Sequence, residues 1–345
     1  MMKQISRRAF LGSSLSFVGA TVALADAPLT SVRPLLRGAD APKAVVKSAD
    51  ALVRASKVSG NVAYCVADAR TGQRLEQSNA KAPVAPASVT KTVTSLYALD
   101  TLGADHRFTT LLIATGGITD GVIQGDLVLA GGGDPSMDTN GLADMAAQLK
   151  AAGITGVNGR FVVYEGLLPS VKTIDKDQPD QVGYSPAVSG IALNYNRVHF
   201  EWRRADGKYD ITMEARTAHY RPGVSMAQMK IVDRSLPVYT YRDQGGIDQW
   251  SVARGALGND GARWLPVRKP GLYAGEVFAA LAGAQGIRLK APKVVRKLSA
   301  GSVVVTHHSA PLHEILKSML KYSTNLTAEM VGLAATLKRR GKVTS

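Results

Sequence analysis

The sequence contains little cysteine, few aromatic residues and no long apolar run after its first residues. Cys65 is the one cysteine among 345 residues, so a disulfide within the chain is excluded. It lies in the apolar stretch NVAYCVAD, which favours a buried, inert thiol over a catalytic one. Beyond the first 25 residues no run of 18 apolar residues occurs, which argues against a membrane-spanning helix.

Patterns typical of nucleic-acid and metal sites are missing as well. The chain has no zinc-finger spacing and no aromatic RNA-binding motif, so nucleic acid is a poor candidate partner. His307, His308 and His313 cluster with Glu314, but their spacing does not match H-E-x-x-H. The GGGD at 131–134 lacks the Lys-Ser/Thr of a phosphate loop and predicts a turn. We therefore expect neither a metal nor a cofactor.

The first residues indicate export. MMKQISRRAFLGSSLSFVGATVALADA has a basic start, an apolar stretch and an A-x-A cleavage site at residues 23–25. The pair Arg7 and Arg8, followed by Phe and Leu, resembles the twin-arginine consensus, although an ordinary secretory signal is the alternative. We predict a signal peptide at residues 1–25, export to the periplasm by the twin-arginine route, and no transmembrane anchor once the signal is removed.

The net charge of +15 makes the chain strongly basic, and removal of the signal leaves it so. A basic exported surface suits an anionic cell wall or membrane environment. The alternative is a surface that is simply solvated.

Glycine and proline residues mark the boundaries between the predicted helices and strands. Residues 40–57 have apolar positions at helical spacing, and a hairpin with the turn DARTG follows. Pro86 delays the next helix to residue 87 or 88, and Gly103 ends it. From about Arg107 the segments are β-rich, and helical patterns return near residue 270 and at 310–338.

The pattern predicts an α+β fold. Residues 26–104 and 265–345 are expected to form one domain, an antiparallel sheet with helices, built from both ends of the chain. Residues 105–264 are expected to form a large, mainly β insertion.

A serine and a lysine in the pattern S-x-x-K are the first candidates for chemistry. At a helix start this spacing places both side chains on one face, where a neutral lysine can take the serine proton. The pattern occurs three times, beginning at Ser78, Ser88 and Ser318. Only Ser88, paired with Lys91, opens a helix directly after a proline-rich approach, so we choose Ser88. A plain helix N-cap would also explain a serine at this position.

The tripeptide Ser323-Thr324-Asn325 is the second candidate. It lies between an amphipathic helix and another helical stretch, where a loop can project Ser323 and Asn325 into a cleft. A second hydroxyl could relay a proton there, and an amide could hold a substrate carbonyl or the lysine. A Ser or Asx cap at a helix junction is the alternative.

S-x-x-K followed by S-x-N resembles the motif set of penicillin-binding proteins. The stretches APASVTKTVTSLYALDTLG, GDLVLAGGGDPSM, YSPAVSGIALNYNRV, WLPVRKPGLYAGEVFAALAGAQGI and HSAPLHEILKSMLKYSTNLTAEM resemble the D-alanyl-D-alanine carboxypeptidase/endopeptidase family of class C low-molecular-mass penicillin-binding proteins. The separation of 235 residues between Ser88 and Ser323 agrees with the large insertion of that family. It disfavours an S-x-x-K esterase or a β-lactamase.

The resemblance implies a transpeptidase fold like that of serine β-lactamases and a set of roles. Ser88 would be the acylated nucleophile, Lys91 its general base, Ser323 the proton relay and Asn325 a substrate contact. The backbone amide of Ser88 would form half of the oxyanion hole. The expected partners are peptidoglycan peptide stems as substrates and β-lactams as covalent inhibitors.

The sequence departs from the family pattern in two places. Thr324 stands where the family often has Asp, which is a mild change. No K-T-G follows Ser323, although that strand would supply a cation and the second oxyanion amide, so we expect a chain truncated before it. The missing motif favours a second hypothesis, a non-catalytic basic protein that binds the cell wall with the same fold.

Overall fold

The computed structural model describes residues 47–344, so the predicted signal peptide at residues 1–25 lies outside the described residues. The described chain divides into two compact parts, and the division lies between Val84 and Ala85. Within the described residues, no helix combines the length and the apolar character that crossing a membrane requires.

The first part contains a short helix and a hairpin. Helix α1 (Ala49–Ala55) begins after Ser48, whose side chain accepts a hydrogen bond from the Ala51 amide. The helix predicted over 40–57 is confirmed in its later portion, and residues 40–46 lie outside the described range.

Strands β1 (Tyr64–Ala67) and β2 (Arg74–Ser78) pair antiparallel. The Asp68 carboxylate accepts hydrogen bonds from the amides of Arg70 and Thr71, which closes the turn between the strands. The predicted hairpin and its turn are confirmed.

The prediction that the Cys65 thiol is buried is wrong, because this thiol is exposed. Its strand β1 pairs with β2 alone, and the residues of β1 that follow Tyr64 are exposed. An apolar run predicts burial only where a second layer covers the strand. Among the described residues of the first part, no such layer covers β1.

The second part contains the remaining elements. Its α-helices are α2 (Thr90–Leu102), α3 (Thr139–Ala151), α4 (Pro270–Ala284), α5 (Leu312–Tyr322) and α6 (Asn325–Arg340). Its strands are β3 (Thr109–Ala114), β4 (Ile118–Thr119), β5 (Val122–Ile123), β6 (Leu127–Ala130), β7 (Gly156–Val157), β8 (Phe161–Tyr164), β9 (Arg197–Ala205), β10 (Lys208–Glu214), β11 (Ala227–Val232), β12 (Tyr239–Gln244), β13 (Ile247–Ala253), β14 (Asp260–Pro266), β15 (Lys293–Val295) and β16 (Ser302–His308). This arrangement confirms the predicted helix near residue 270, the β-rich middle of the chain and the two late helices.

A five-stranded mixed sheet in the order β15-β8-β6-β3-β16 forms the centre of the second part. Helices α3 and α4 supply Leu142, Met145 and Phe278 to the core on this sheet, and the Phe278 ring lies 5.6 Å from that of Phe161. Strands β15 and β16 follow residue 265 in the chain, and they pair with β8 and β3 from the stretch 109–164. The predicted domain boundaries at residues 104 and 265 stay a prediction.

Three smaller sheets complete the β-rich region. Their strand orders are β10-β9-β14, β11-β13-β12 and β4-β5-β7. The parallel pairing of β11 with β13 and the antiparallel pairing of β9 with both neighbours give this region its mixed topology.

Helices α2, α5 and α6 pack together in a separate helical layer. Ala98 of α2, Leu316 and Met319 of α5, and Val331 of α6 share one buried apolar cluster. An ion pair between Arg339 and Asp100 lies at the edge of this layer.

The paired strands β3 and β16 connect the helical layer to the sheet. Thr109 lies opposite His308, and the Leu312 amide donates to the His106 carbonyl at 2.8 Å. This pairing brings the end of α2 beside the start of α5, although the two helices are far apart in the chain.

Candidate active site

Ser88 and Lys91 lie at the start of α2. The 3-10 turn Ala87–Val89 runs directly into the helix, so Lys91 follows Ser88 by one turn on the same face. Lys91 Nζ lies 3.1 Å from Ser88 Oγ. The predicted serine-lysine pair is therefore formed.

Ser88 does not act as a helix cap. Val89 is the N-cap residue of α2, and neither it nor Pro86, which precedes the 3-10 turn, makes a side-chain capping bond. Ser88 Oγ is instead a hydrogen-bond partner of Lys91 and Ser323. The alternative interpretation of Ser88 as a plain N-cap is wrong.

Ser323 ends α5 in the left-handed conformation, with φ 55° and ψ 41°. This region is costly for a residue other than glycine, and strained residues of this kind are concentrated at functional sites. The turn directs the Ser323 hydroxyl toward α2, where it donates to Ser88 Oγ at 2.7 Å. Ser323 Oγ also lies 3.4 Å from Lys91 Nζ.

Asn325 is the first residue of α6. Its Oδ1 accepts a hydrogen bond from Lys91 Nζ at 2.7 Å, and its Nδ2 donates to the Tyr184 carbonyl at 3.1 Å. Thr324, not Asn325, is the N-cap residue of α6. The side chains of Ser323 and Asn325 therefore converge on Lys91, and helix capping does not explain them.

Lys91 is 8% exposed, whereas Ser88 is exposed. An ammonium group has three N–H donors, and three oxygens lie within hydrogen-bond distance of Lys91 Nζ. A ligand can thus approach the serine oxygen from solvent while the lysine stays covered. This arrangement can move a proton between two hydroxyls and an amine.

The other two S-x-x-K sequences do not form such a pair. Ser318 lies within α5, and the ammonium of Lys321 lies 5.2 Å from the Tyr322 ring centre. Ser78 is the last residue of β2. Among the described hydrogen bonds, none joins Ser318 to Lys321 or Ser78 to Lys81.

Arg197 contributes positive charge on the Asn325 side of the site. Together with Tyr184, Tyr195 and Asn325 it lines a cavity of about 40 Å³. Its guanidinium lies 5.3 Å from the Tyr195 ring centre, and burial lowers its pKa.

The histidine cluster of the sequence is dispersed. His308 Nδ1 lies 3.2 Å from Thr109 Oγ1, and His313 Nδ1 lies 3.1 Å from the Ala104 carbonyl. Across residues 47–344, no three His, Cys, Asp or Glu side chains are grouped so that they could hold a metal ion.

Comparison with known proteins matches residues 45–345 to the D-Ala-D-Ala carboxypeptidase 3 (S13) family. The chain belongs to this family. The family assignment agrees with the resemblance drawn from the S-x-x-K and S-x-N motifs.

Two curated relatives carry related names. The D-alanyl-D-alanine carboxypeptidase of Actinomadura sp. is 27% identical over 347 residues, which cover 92% of this chain and 60% of the relative. D-alanyl-D-alanine carboxypeptidase DacB of Haemophilus influenzae is 24% identical over 279 residues, which cover 78% of this chain and 57% of the relative. The chain thus spans about three fifths of the length of these relatives.

Solved structures support the fold. Penicillin binding protein 4 (dacB) of Haemophilus influenzae superposes with a TM-score of 0.65 at 21% identity, over 81% of this chain and 63% of that protein. A second structure of that protein, complexed with a β-lactam, gives a TM-score of 0.62. The predicted α+β fold of the penicillin-binding-protein type, carrying a β-rich insertion, is confirmed.

Sequence analysis missed Tyr184 as a neighbour of the site. The stretch YSPAVSGIALNYNRV carried part of the family resemblance, but no role was assigned to any residue in it. Tyr184 reaches Asn325 through its backbone carbonyl, which every residue possesses. The residue type therefore held no signal that could have revealed this contact.

Proposed function

We propose that the protein is a serine-type D-Ala-D-Ala carboxypeptidase or endopeptidase that acts on peptidoglycan peptides. The observation that carries this proposal is the position of Lys91 Nζ and Ser323 Oγ, 3.1 and 2.7 Å from Ser88 Oγ. Membership of the S13 family and the names of the curated relatives support the substrate class. β-lactams are the expected covalent inhibitors.

Acylation begins with the proton of Ser88. Lys91 in its neutral form takes the proton from Ser88 Oγ, and the oxygen attacks the carbonyl carbon of the D-Ala-D-Ala bond. The negative charge that develops on the carbonyl oxygen is stabilised by the Ser88 amide, which lies in the first turn of a helix where amides lack intrahelical partners.

Collapse of the tetrahedral intermediate breaks the C–N bond. The leaving amine needs a proton, and Ser323 can pass one from Lys91, because its hydroxyl lies within hydrogen-bond distance of both Lys91 Nζ and Ser88 Oγ. Water then hydrolyses the ester on Ser88 and releases the shortened peptide. Asn325 holds Lys91 in place and offers its amide to the substrate.

Labelling with a fluorescent penicillin tests this proposal. We expect the full chain to form a covalent adduct and the Ser88→Ala variant to form none, because the adduct is an ester of Ser88. Ser318→Ala is the matched control, since Ser318 belongs to another S-x-x-K sequence and lies within α5; its labelling should equal that of the wild type.

Absence of labelling in the wild type would contradict an active acyl-transfer site in this chain. It would favour the alternative of a non-catalytic protein that binds the cell wall. Equal labelling of the wild type and Ser88→Ala would place the nucleophile elsewhere.

We also propose export to the periplasm by the twin-arginine route, on the basis of the pattern in residues 1–25. A reporter fused after residue 30 should reach the periplasm of a cell with this pathway and stay inside a cell that lacks it. Export that continues without the pathway, or with Arg7 and Arg8 replaced by lysine, would indicate an ordinary secretory signal.

A further inference from the structure

The loop of residues 172–185 ends beside the candidate site, where Gly183 and Tyr184 line the same small cavity as Asn325. Seven of its fourteen residues are exposed, but Ser185 at its end is buried. The carbonyl of Tyr184 accepts the hydrogen bond from Asn325 Nδ2. The position of this loop therefore decides where the partner of Asn325 lies.

Arg268 binds the backbone of this loop at three points. Its Nη1 donates to the carbonyls of Lys172 at 3.1 Å and Ser185 at 2.6 Å. Its Nη2 donates to the carbonyl of Asp180 at 2.8 Å. One planar guanidinium thus ties together the beginning, the middle and the end of the loop.

Arg268 itself has further contacts with Tyr241 and Asp248. Its guanidinium carbon lies 5.9 Å from the ring centre of Tyr241, and burial lowers its pKa. The Arg268 backbone amide donates to Asp248 Oδ2 at 2.8 Å, and Asp248 is fully buried. Tyr241 and Lys269 donate to the other oxygen of Asp248.

A second set of contacts fixes the same loop from within. Ser185 Oγ accepts a hydrogen bond from the Asp175 amide and lies 2.9 Å from Thr173 Oγ1. The loop is thus fastened by Arg268 from outside and by Ser185 from inside.

We propose that Arg268 is a positioning residue for the acyl-transfer site, acting through the 172–185 loop and the Tyr184 carbonyl on the amide of Asn325. This inference rests on the proposed function, because it assigns Arg268 a role in that reaction. Arg268 itself touches neither Ser88 nor Lys91 in the described structure.

The physical reason lies in the two ends of the Asn325 amide. A carbonyl can only accept a hydrogen bond, so Tyr184 must face Nδ2, and Oδ1 is then turned toward Lys91. If the loop moves away, the hydrogen bond from Lys91 to Oδ1 is the one described side-chain contact left to hold this orientation. A rotated amide would present its NH₂ group to the lysine and would no longer hold it against Ser88.

The test compares Arg268→Met, Arg268→Lys and the control Arg263→Met. Arg263 lies on the neighbouring strand β14, where its guanidinium stacks 4.7 Å from the Tyr239 ring centre. The readouts are the rate of acylation by fluorescent penicillin and amide hydrogen exchange in the full chain.

We expect Arg268→Met to slow acylation at saturating penicillin about 10-fold to 100-fold and to speed exchange in residues 172–185. Exchange in β9 and β14 should stay unchanged, as should both readouts in Arg263→Met. Arg268→Lys should recover little, because one ammonium cannot reach carbonyls on two sides as the guanidinium fork does.

A double-mutant cycle separates positioning from general loss of structure. If Arg268 acts through Asn325, Arg268→Met should slow acylation no further in an Asn325→Ala background. Equal slowing in both backgrounds would overturn the proposal.

Hydrogen exchange keeps this inference distinct from the proposed function. A wild type that is never acylated would contradict the enzyme, while unchanged exchange in residues 172–185 of Arg268→Met would by itself overturn the positioning role. If Arg268→Met does not fold, Ser185→Ala releases the loop from within. It should then show the same pattern, and normal exchange and acylation in Ser185→Ala would also overturn the proposal.

Discussion

Lys91 shows how the residues of the site depend on one another. A buried ammonium without partners would cost several kcal/mol, and each oxygen around Lys91 offsets part of that cost. Ser88, Ser323 and Asn325 supply those oxygens, all within 3.4 Å of Nζ. The groups proposed to carry the reaction therefore also make the burial of the lysine tolerable.

The buried carboxyl of Asp134 should make the stability of the protein depend on pH. Asp134 is 3% exposed, and burial raises the pKa of its carboxyl above the ordinary value of 3.8. The protonated form is favoured in the folded state, so the wild type loses stability as the pH rises from about 4 through the folded pKa. In Asp134→Asn the carboxyl is absent and this loss disappears.

Urea unfolding at several pH values between 4 and 8 measures the effect. The free energy of unfolding of Asp134→Asn, minus that of the wild type, should increase as the pH rises. The increase should be about 1.4 kcal/mol for each unit by which the folded pKa of Asp134 exceeds the unfolded pKa. Asp144→Asn is the control, since Asp144 is exposed on α3 and is not among the groups that act on the Asp134 carboxyl; it should not reproduce this trend. A difference for Asp134→Asn that shrinks with rising pH would contradict the assignment.

At the scale of elements, a single left-handed residue, Ser323, forms the junction between α5 and α6. Ser323 has a φ of 55°, a conformation that costs a residue with a Cβ about 1–2 kcal/mol relative to glycine. Ser323→Gly and Ser323→Ala both remove the hydroxyl, but only glycine relieves the backbone.

We expect Ser323→Gly to be about 1 kcal/mol more stable than Ser323→Ala in urea unfolding. Both variants should be acylated by penicillin about 100-fold to 10,000-fold more slowly than the wild type, because both lack the proton relay. If the alanine variant is at least as stable as the glycine variant, backbone strain does not limit this junction.

The elements also show what the sequence could predict. Helical spacing placed Ser88 and Lys91 on one face, and the breaks around Ser323 predicted the loop between two helices; both signals depend only on neighbours in the chain. Cys65 was misjudged because exposure depends on which layer covers a strand. The contacts of Arg268 with three backbone carbonyls could not be predicted from the sequence, because every residue has a backbone carbonyl.

At the scale of the whole molecule, the net charge of +15, of which only three positive charges lie in the predicted signal peptide, predicts electrostatic attraction to anionic cell-wall material. Salt shortens the range of this attraction from about 8 Å at physiological ionic strength to about 3 Å at 1 M. The protein should therefore sediment with purified cell walls at low salt and be released at 1 M sodium chloride.

Covalent labelling by penicillin is the control, because a reaction at Ser88 should change little with salt. Retention on the cell walls that is equal at both salt concentrations would contradict an electrostatic interaction.

The pairing of β3 with β16 has a consequence for chain entropy. Ser88 and Ser323 are 235 residues apart, but Thr109 and His308 are already held opposite each other in the sheet. With that pair formed, only about 36 residues separate the two serines along the shortest connected path, and the cost of bringing them together falls by about 1.7 kcal/mol. The sheet therefore raises the local concentration of Ser323 around Ser88. A substitution that breaks this strand pair would weaken the contact between the two serines, although it lies outside the site.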